Sequence, residues 1–182
     1  MNNANARGLR TLIGLAALFF VPLFIAFALY YGGGWRPAQS TNHGVLLADP
    51  VALEVPWPES KWTLLLVASD ACSDSCREAL YKTRQTHLLL AKDFDRVQRV
   101  FIAPADCCET DFLASEHPGI ITLDPAGSAG SALLGALPAG TPDNTIYLID
   151  PLGNLIMTFD SHDDPKGLLT DLKKLLGLSH VG

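Results

Sequence analysis

No acidic residue precedes Asp49, and no run of basic residues follows Tyr31. The second absence excludes nucleic acid as a partner, because phosphate binding requires a basic patch. Internal repeats and low-complexity segments are also missing, and 182 residues suit one domain with an appendage. Charge is absent altogether from residues 11–31, "TLIGLAALFFVPLFIAFALYY". A helix of that length rises about 30 Å, the hydrocarbon thickness of a bilayer. Pro22 sits mid-span, which membrane helices tolerate. A cleaved signal peptide would have an apolar region of about 7–15 residues and a small-residue cleavage site. This run is longer, so an uncleaved single-pass anchor is the expectation.

The flanks predict its orientation. Arg7 and Arg10 precede the span, and only Arg36 follows closely. The positive-inside bias puts the N-terminus in the cytoplasm and the remainder outside, with Tyr30, Tyr31 and Trp35 at the outer interface. In a bacterium that is the inner membrane, with the domain in the periplasm. Cysteines there can be oxidised or can receive metals. Behind the span lie 11 basic residues against all 19 acids, a net of −8 with histidine neutral.

Four pieces are expected: a cytoplasmic N-terminus (1–10), the anchor (11–31), a linker and lead-in (32–60) and a folded domain (61–178). Gly32-Gly33-Gly34 makes a flexible exit. The lead-in is rich in proline and polar residues, with one short apolar run at 44–48 that suits an edge strand. "WTLLLVAS" at 62–69 is continuously apolar, as in a buried strand. A helix is predicted over 76–94, a strand over 96–104, a loop, a short strand over 119–123 and a glycine-rich helix over 127–137. Residues 145–150 and 155–159 flank a Pro/Gly/Asn turn and predict a hairpin. Leucines at helical spacing over 164–176, closed by Gly177, predict a last helix. An initial strand–helix–strand crossover and a final hairpin give a mixed sheet with helices on both faces, the thioredoxin-like α/β plan.

The chain has four cysteines. Cys72 and Cys76 follow the first core strand, where the next helix begins. Ser75 as N-cap with Glu78 three residues on fits a capping box, putting Cys76 at the first helical position. The positive helix end favours a thiolate, and the Asp74 charge opposes it. A structural bridge over so short a loop removes little chain entropy, so a working thiol pair or a metal site is the better reading. Cys107 and Cys108 follow the second strand at nearly the same offset. If the two strands are parallel neighbours, all four cysteines gather at one sheet edge. Adjacent cysteines bridge each other with strain, which leaves Cys107 and Cys108 as auxiliary redox groups, as soft ligands or as loop residues. Of the five histidines, His87 suits a helix surface, and His117 is the one to watch as a ligand, with a solvated loop position the favoured expectation even there.

These residues resemble the Sco/SenC family of cytochrome c oxidase assembly proteins, which are membrane-anchored, thioredoxin-like copper chaperones and thiol reductases. The resemblance covers residues 44–176. It rests on Ser60-Lys61-Trp62, the strand at 62–69, the Cys72/Cys76 pair, "VFIAP", and "PDNTIYLIDPLGNLI" at 142–156. The family binds copper through the two cysteines and a histidine before the penultimate strand. Asp143 matches the aspartate preceding that histidine, and Asn144 stands at the histidine position. Arg77 stands where a proline commonly follows the second cysteine.

Asparagine is a poor ligand for Cu(I), which prefers sulfur or imidazole. The leading expectation is therefore thiol–disulfide exchange by Cys72 and Cys76 on a copper-site dithiol or a copper chaperone, with Cys72 the more exposed sulfur. A Cu(I) metallochaperone is the alternative. It would use Cys72, Cys76 and a third sulfur from Cys107 or Cys108. A non-catalytic assembly scaffold on an oxidase subunit is the third reading.

Overall fold

The computed structural model describes residues 3–32, 41–56, 60–68, 73–104, 108, 110–140 and 142–179. The chain divides into two units, Met1–Thr41 and Asn42–Gly182. The first holds helix α1 (Asn3–Tyr31). Within it, Gly8–Tyr31 has mean hydropathy 2.7 and none of it is buried. At 1.5 Å per residue this stretch is about 36 Å long, enough for the roughly 30 Å of a bilayer's hydrocarbon core. Among the described residues it is the one helix long and apolar enough to cross a membrane.

The second unit runs β1 (Val45–Ala52), β2 (Trp62–Val67), α2 (Asp74–Leu88), β3 (Val97–Ile102), α3 (Thr110–Glu116), β4 (Ile121–Leu123), α4 (Ser128–Ala136), β5 (Thr145–Ile149), β6 (Asn154–Asp160) and α5 (Pro165–Leu178). Its six strands form one sheet in the order β1-β6-β5-β2-β3-β4. The strands β2, β3 and β4 are parallel, whereas β5, β6 and β1 add antiparallel pairings.

Successive side chains on a strand point to opposite faces. Leu64 and Leu66 of β2, Phe101 of β3 and Leu148 of β5 therefore share one core with Ala79 and Leu80 of α2 and Leu168, Leu172 and Leu176 of α5. Leu65, Val100, Tyr147 and Leu155 form a second core on the other face, closed by Leu133 of α4. Both faces are covered, which is why β2 and β5 read as unbroken apolar runs.

Three elements differ from the sequence expectation. The helix expected over 76–94 ends at Leu88 and gives way to a 3-10 turn, Ala91–Arg96. Ala91 has a left-handed φ of 52°, which stops the helix. His87 stacks on Phe94 at 4.0 Å between centroids and bonds its carbonyl through Nε2 at 2.9 Å, folding the chain back. The expected loop after Cys108 contains α3, whose Phe112 and Leu113 pack on the first core. The edge strand expected over 44–48 is present as β1 but runs on to Ala52, pairing with β6 at its two ends around a bulge between Leu46 and Val51.

The hairpin turn follows from one side chain. Asp150 accepts backbone N–H bonds from Leu152 and Asn154 on Oδ1 at 2.9 and 2.8 Å, and its Oδ2 accepts the Asn154 amide at 2.9 Å. Gly153 completes the turn at φ +87°, a conformation that L side chains rarely adopt.

Candidate functional site

The register of the two central strands sets the site. β2 and β3 pair in parallel from Trp62↔Val97 to Val67↔Ile102, so their C-terminal ends reach the same sheet edge. Ala68 N–H extends the ladder to the Ile102 carbonyl at 2.9 Å. The chain leaves β2 there toward α2, and leaves β3 there toward Cys108 and α3.

The N-cap of α2 is Ser73, two residues earlier than the expected Ser75. Ser73 Oγ accepts the backbone N–H of Cys76 at 3.3 Å and lies 2.8 Å from Ser75 Oγ. A cap is fixed by which hydroxyl reaches the third amide of the helix. Here that amide belongs to Cys76, which therefore sits at the third helical position instead of the first. Asp74, in the first turn, complements the helix dipole.

Cys76 is 2% exposed and carries its thiol. It lies in the first core with Cys108, which is 8% exposed and disulfide-bonded. The expected site residues Cys72 and Cys107 lie outside the described residues. Cys108 also lines a cleft of about 350 Å³ with Phe101, Ala103, Pro104, Leu113 and Leu123, with Asp124 alongside.

Asn144 contacts the same turn from the opposite strand. It precedes β5, has a left-handed φ of 61° and is 9% exposed. Its Nδ2 donates to Ser75 Oγ at 3.1 Å. Asn144, expected from the Sco/SenC resemblance to stand at a ligand histidine's position, thus bonds a serine that lies between Cys72 and Cys76 in sequence. Asp143, beside it, is exposed and borders a cleft that Asn144, Val67 and Tyr147 also line.

Arg77, at the position where the resemblance implies a proline, sets its guanidinium over the Phe112 ring at 4.8 Å. Phe112 meets His117 edge-on at 5.2 Å, and Arg84 of α2 bonds Glu116 of α3 at 3.2 Å. These contacts clasp α3 to the helix that begins at the thiol site. They also correct the reading of His117, which is 2% exposed and not a solvated loop residue. Burial, then the charges of Arg99 and Arg84, push its imidazole pKa down. His87, expected on a helix surface, is 8% exposed, and burial holds its pKa below the ordinary value as well. Both histidines are placed by packing. His43 pairs through Nδ1 with Asp171 at 3.1 Å, and His162 with Asp160 at 2.8 Å.

The donor set bears on copper as a cargo. Cys76 and Cys108 bring two sulfurs into one cluster, and sulfur suits Cu(I). The Asn144 amide is a hard donor already committed to Ser75. Among the described residues no group of three or more His, Cys, Asp or Glu side chains could hold a metal ion.

Sequence spacing could not have revealed the Asn144–Ser75 bond, because it links positions 69 residues apart. A signal does exist in retrospect: asparagine before a strand tolerates the left-handed backbone that most residues avoid.

Comparison with known proteins agrees with this architecture. The solution structure of apo Sco1 from Thermus thermophilus superimposes with a TM-score of 0.57 at 20% identity, covering 76% of this chain and 99% of that one. Arabidopsis thaliana ScoI with copper bound gives 0.51 at 20% identity, covering 66% and 86%. A DsbF homologue from Corynebacterium diphtheriae gives 0.53 at 16% identity, covering 77% and 96%. No curated protein matches the sequence. The fold is thus the Sco/SenC-like thioredoxin fold. A family model described as transmembrane-like, thioredoxin-like, C-terminal domain matches residues 62–179, and the chain belongs to that family.

Proposed function

We propose that this is a membrane-anchored, thioredoxin-like protein of cytochrome c oxidase assembly that acts by thiol–disulfide exchange at Cys72 and Cys76. Its client is a copper-site dithiol or a copper chaperone, which it keeps reduced. The observation that carries this reading is a buried thiol, Cys76, in the first turn of α2 and in the same core cluster as the disulfide-bonded Cys108. Exchange requires a thiolate within reach of a disulfide, and a helix N-terminus favours the thiolate.

In the step itself, one thiolate attacks a client disulfide sulfur and forms a mixed disulfide, releasing the other client sulfur as a thiolate. The second cysteine of the pair attacks that bridge. The client leaves as a dithiol, and Cys72–Cys76 is left oxidised by two electrons. Cys72 is the attacking sulfur in this scheme, because the burial of Cys76 suits the resolving role. Cys107 and Cys108 are the auxiliary redox groups. Helix α1 anchors the chain in the inner membrane, with the N-terminus cytoplasmic and the domain in the periplasm; Arg7, Arg10 and the acid-free N-terminal segment support that orientation.

Cys72→Ser and Cys76→Ser are each expected to lose oxidase assembly in cells, read as haem–copper oxidase activity in membranes. Full activity in both single variants would end this reading.

Cu(I) binding by Cys72, Cys76 and a sulfur from Cys107 or Cys108 is the second reading. It is favoured by the shared cluster of Cys76 and Cys108 and by the likeness to a ScoI structure that holds copper. Anaerobic Cu(I) titration of the reduced chain separates the two. Stoichiometric tight binding that vanishes when Cys107 and Cys108 are both replaced supports the second, and no tight binding removes it.

A further inference from the structure

The Asn144 contact is unusual on two counts. A non-glycine residue at φ 61° occupies a sparsely populated region, and such positions persist where the surroundings over-determine them. Its side-chain bond crosses from the start of β5 to the first turn of α2, at a residue between the two site cysteines.

The bond belongs to a chain. Asn144 Nδ2–H donates to Ser75 Oγ at 3.1 Å, and the Ser75 and Ser73 hydroxyls share a hydrogen bond at 2.8 Å in which either can donate. Ser73 Oγ also accepts the Cys76 N–H at 3.3 Å. The Cys76 backbone is thereby tied, through two hydroxyls, to a side chain at the start of β5. This is the arrangement in which Cys76 carries a thiol and its side chain sits in the core. A bond from the Cys76 sulfur to another cysteine that displaced the first helical turn would break the Asn144–Ser75 contact.

We propose that Asn144 is a positioning residue that, through Ser75, holds Cys76 in its thiol form and so sets the thiol–disulfide equilibrium of the pair. This rests on the exchange reading above. Oxidation of the pair removes two protons and two electrons from Cys76 and its partner cysteine. The S–S bond of oxidised glutathione accepts them and yields two molecules of glutathione, so the equilibrium can be read against glutathione buffers. A neutral hydrogen bond made in one state only is worth about three- to tenfold in an equilibrium constant.

The test uses the full chain in detergent, equilibrated across glutathione ratios, quenched with acid, alkylated and analysed by mass spectrometry at Cys76. Asn144→Gly keeps the left-handed backbone and removes the amide donor. Ser75→Ala removes the hydroxyl, and Ser75→Thr restores it. Asn144→Gly and Ser75→Ala are each expected to shift Cys76 about three- to tenfold toward the disulfide. The double variant shifts no further than either single one, and Ser75→Thr behaves as the wild type. Thermal melting of each variant shows whether the shift tracks stability, which the proposal does not require. Equilibria within about twofold of wild type in both single variants, or additive shifts in the double variant, overturn the positioning role while leaving the exchange reading intact. A wild-type Cys76 that forms no disulfide at any ratio overturns both.

Discussion

At Asn144 the backbone demand and the chemical demand can be separated. Asparagine, aspartate and histidine are the non-glycine residues that most often accept a left-handed φ, so histidine fits this position without remodelling the chain. An imidazole there would face the turn that carries Ser75 and Cys76, replacing a hard amide with a ligand suited to Cu(I). Asn144→His is therefore expected to bind Cu(I) at least about tenfold more tightly than the wild type, read on the reduced full chain by competition with a chromophoric chelator. Equal affinity would show that Asn144 does not stand in a ligand position. The two serines separate the local signals in the same way. A serine near a helix start announces a cap, but with Ser73 and Ser75 both present the spacing could not tell which hydroxyl reaches the Cys76 amide.

Elements were legible where the apolar period was long. β2, β3 and β5 are buried from end to end or nearly so, and α5 repeats leucine at helical spacing, so each could be read directly. By contrast α3 is seven residues long, too short for a period to declare itself, and it is held by partners distant in sequence: Arg77 over Phe112, and Arg84 on Glu116. β1 was legible at 44–48 but its extension to Ala52 was not, because its burial pattern is mostly exposed and its middle is unpaired with β6. A buried carboxylate holds its start. Asp171 of α5, 3% exposed, accepts N–H bonds from His43 at 2.6 Å and Gly44 at 3.0 Å. Gly44 lies against the Phe159 ring, where an added Cβ would approach within 2.5 Å. Losing the carboxylate leaves two backbone donors without an acceptor, at a cost of about 2–4 kcal/mol in total. Asp171→Ala is expected to lower unfolding stability by that amount and to speed amide exchange across Val45 and Leu46 by more than about tenfold. Exchange in Leu64–Leu66 should change only through global unfolding. Unaltered protection in β1 would mean that pairing with β6 alone secures the strand.

For the whole domain, the two buried histidines make stability depend on pH in one direction. His87 lies in the last turn of α2 and His117 directly follows α3, and both feel the charge of Arg99. Arg99 is itself 5% exposed, with Nη2 donating to the Pro118 carbonyl at 3.0 Å. The groups facing His117 are Arg99 and Arg84, which disfavour its protonation, and Glu116, which favours it; Arg99 and Lys61 oppose protonation of His87. Burial is the largest influence on each, and both folded-state pKa values lie below the ordinary 6.5. The unfolded chain then binds protons first as pH falls. Stability from these groups is complete above pH 6.5 and declines through the interval between 6.5 and the lower folded values. Asp160 acts in a separate window. Hydrogen bonds from His162 lower its pKa, so its contribution is present above 3.8 and fades only at more acidic pH. Urea unfolding between about pH 7.5 and 5 should therefore show stability falling with acidification in the wild type, with a shallower slope in His117→Gln and a shallower one still when His87→Gln is added. The opposite slope, or one indifferent to both substitutions, would mean that these imidazoles take up protons in the folded domain as readily as in the unfolded chain.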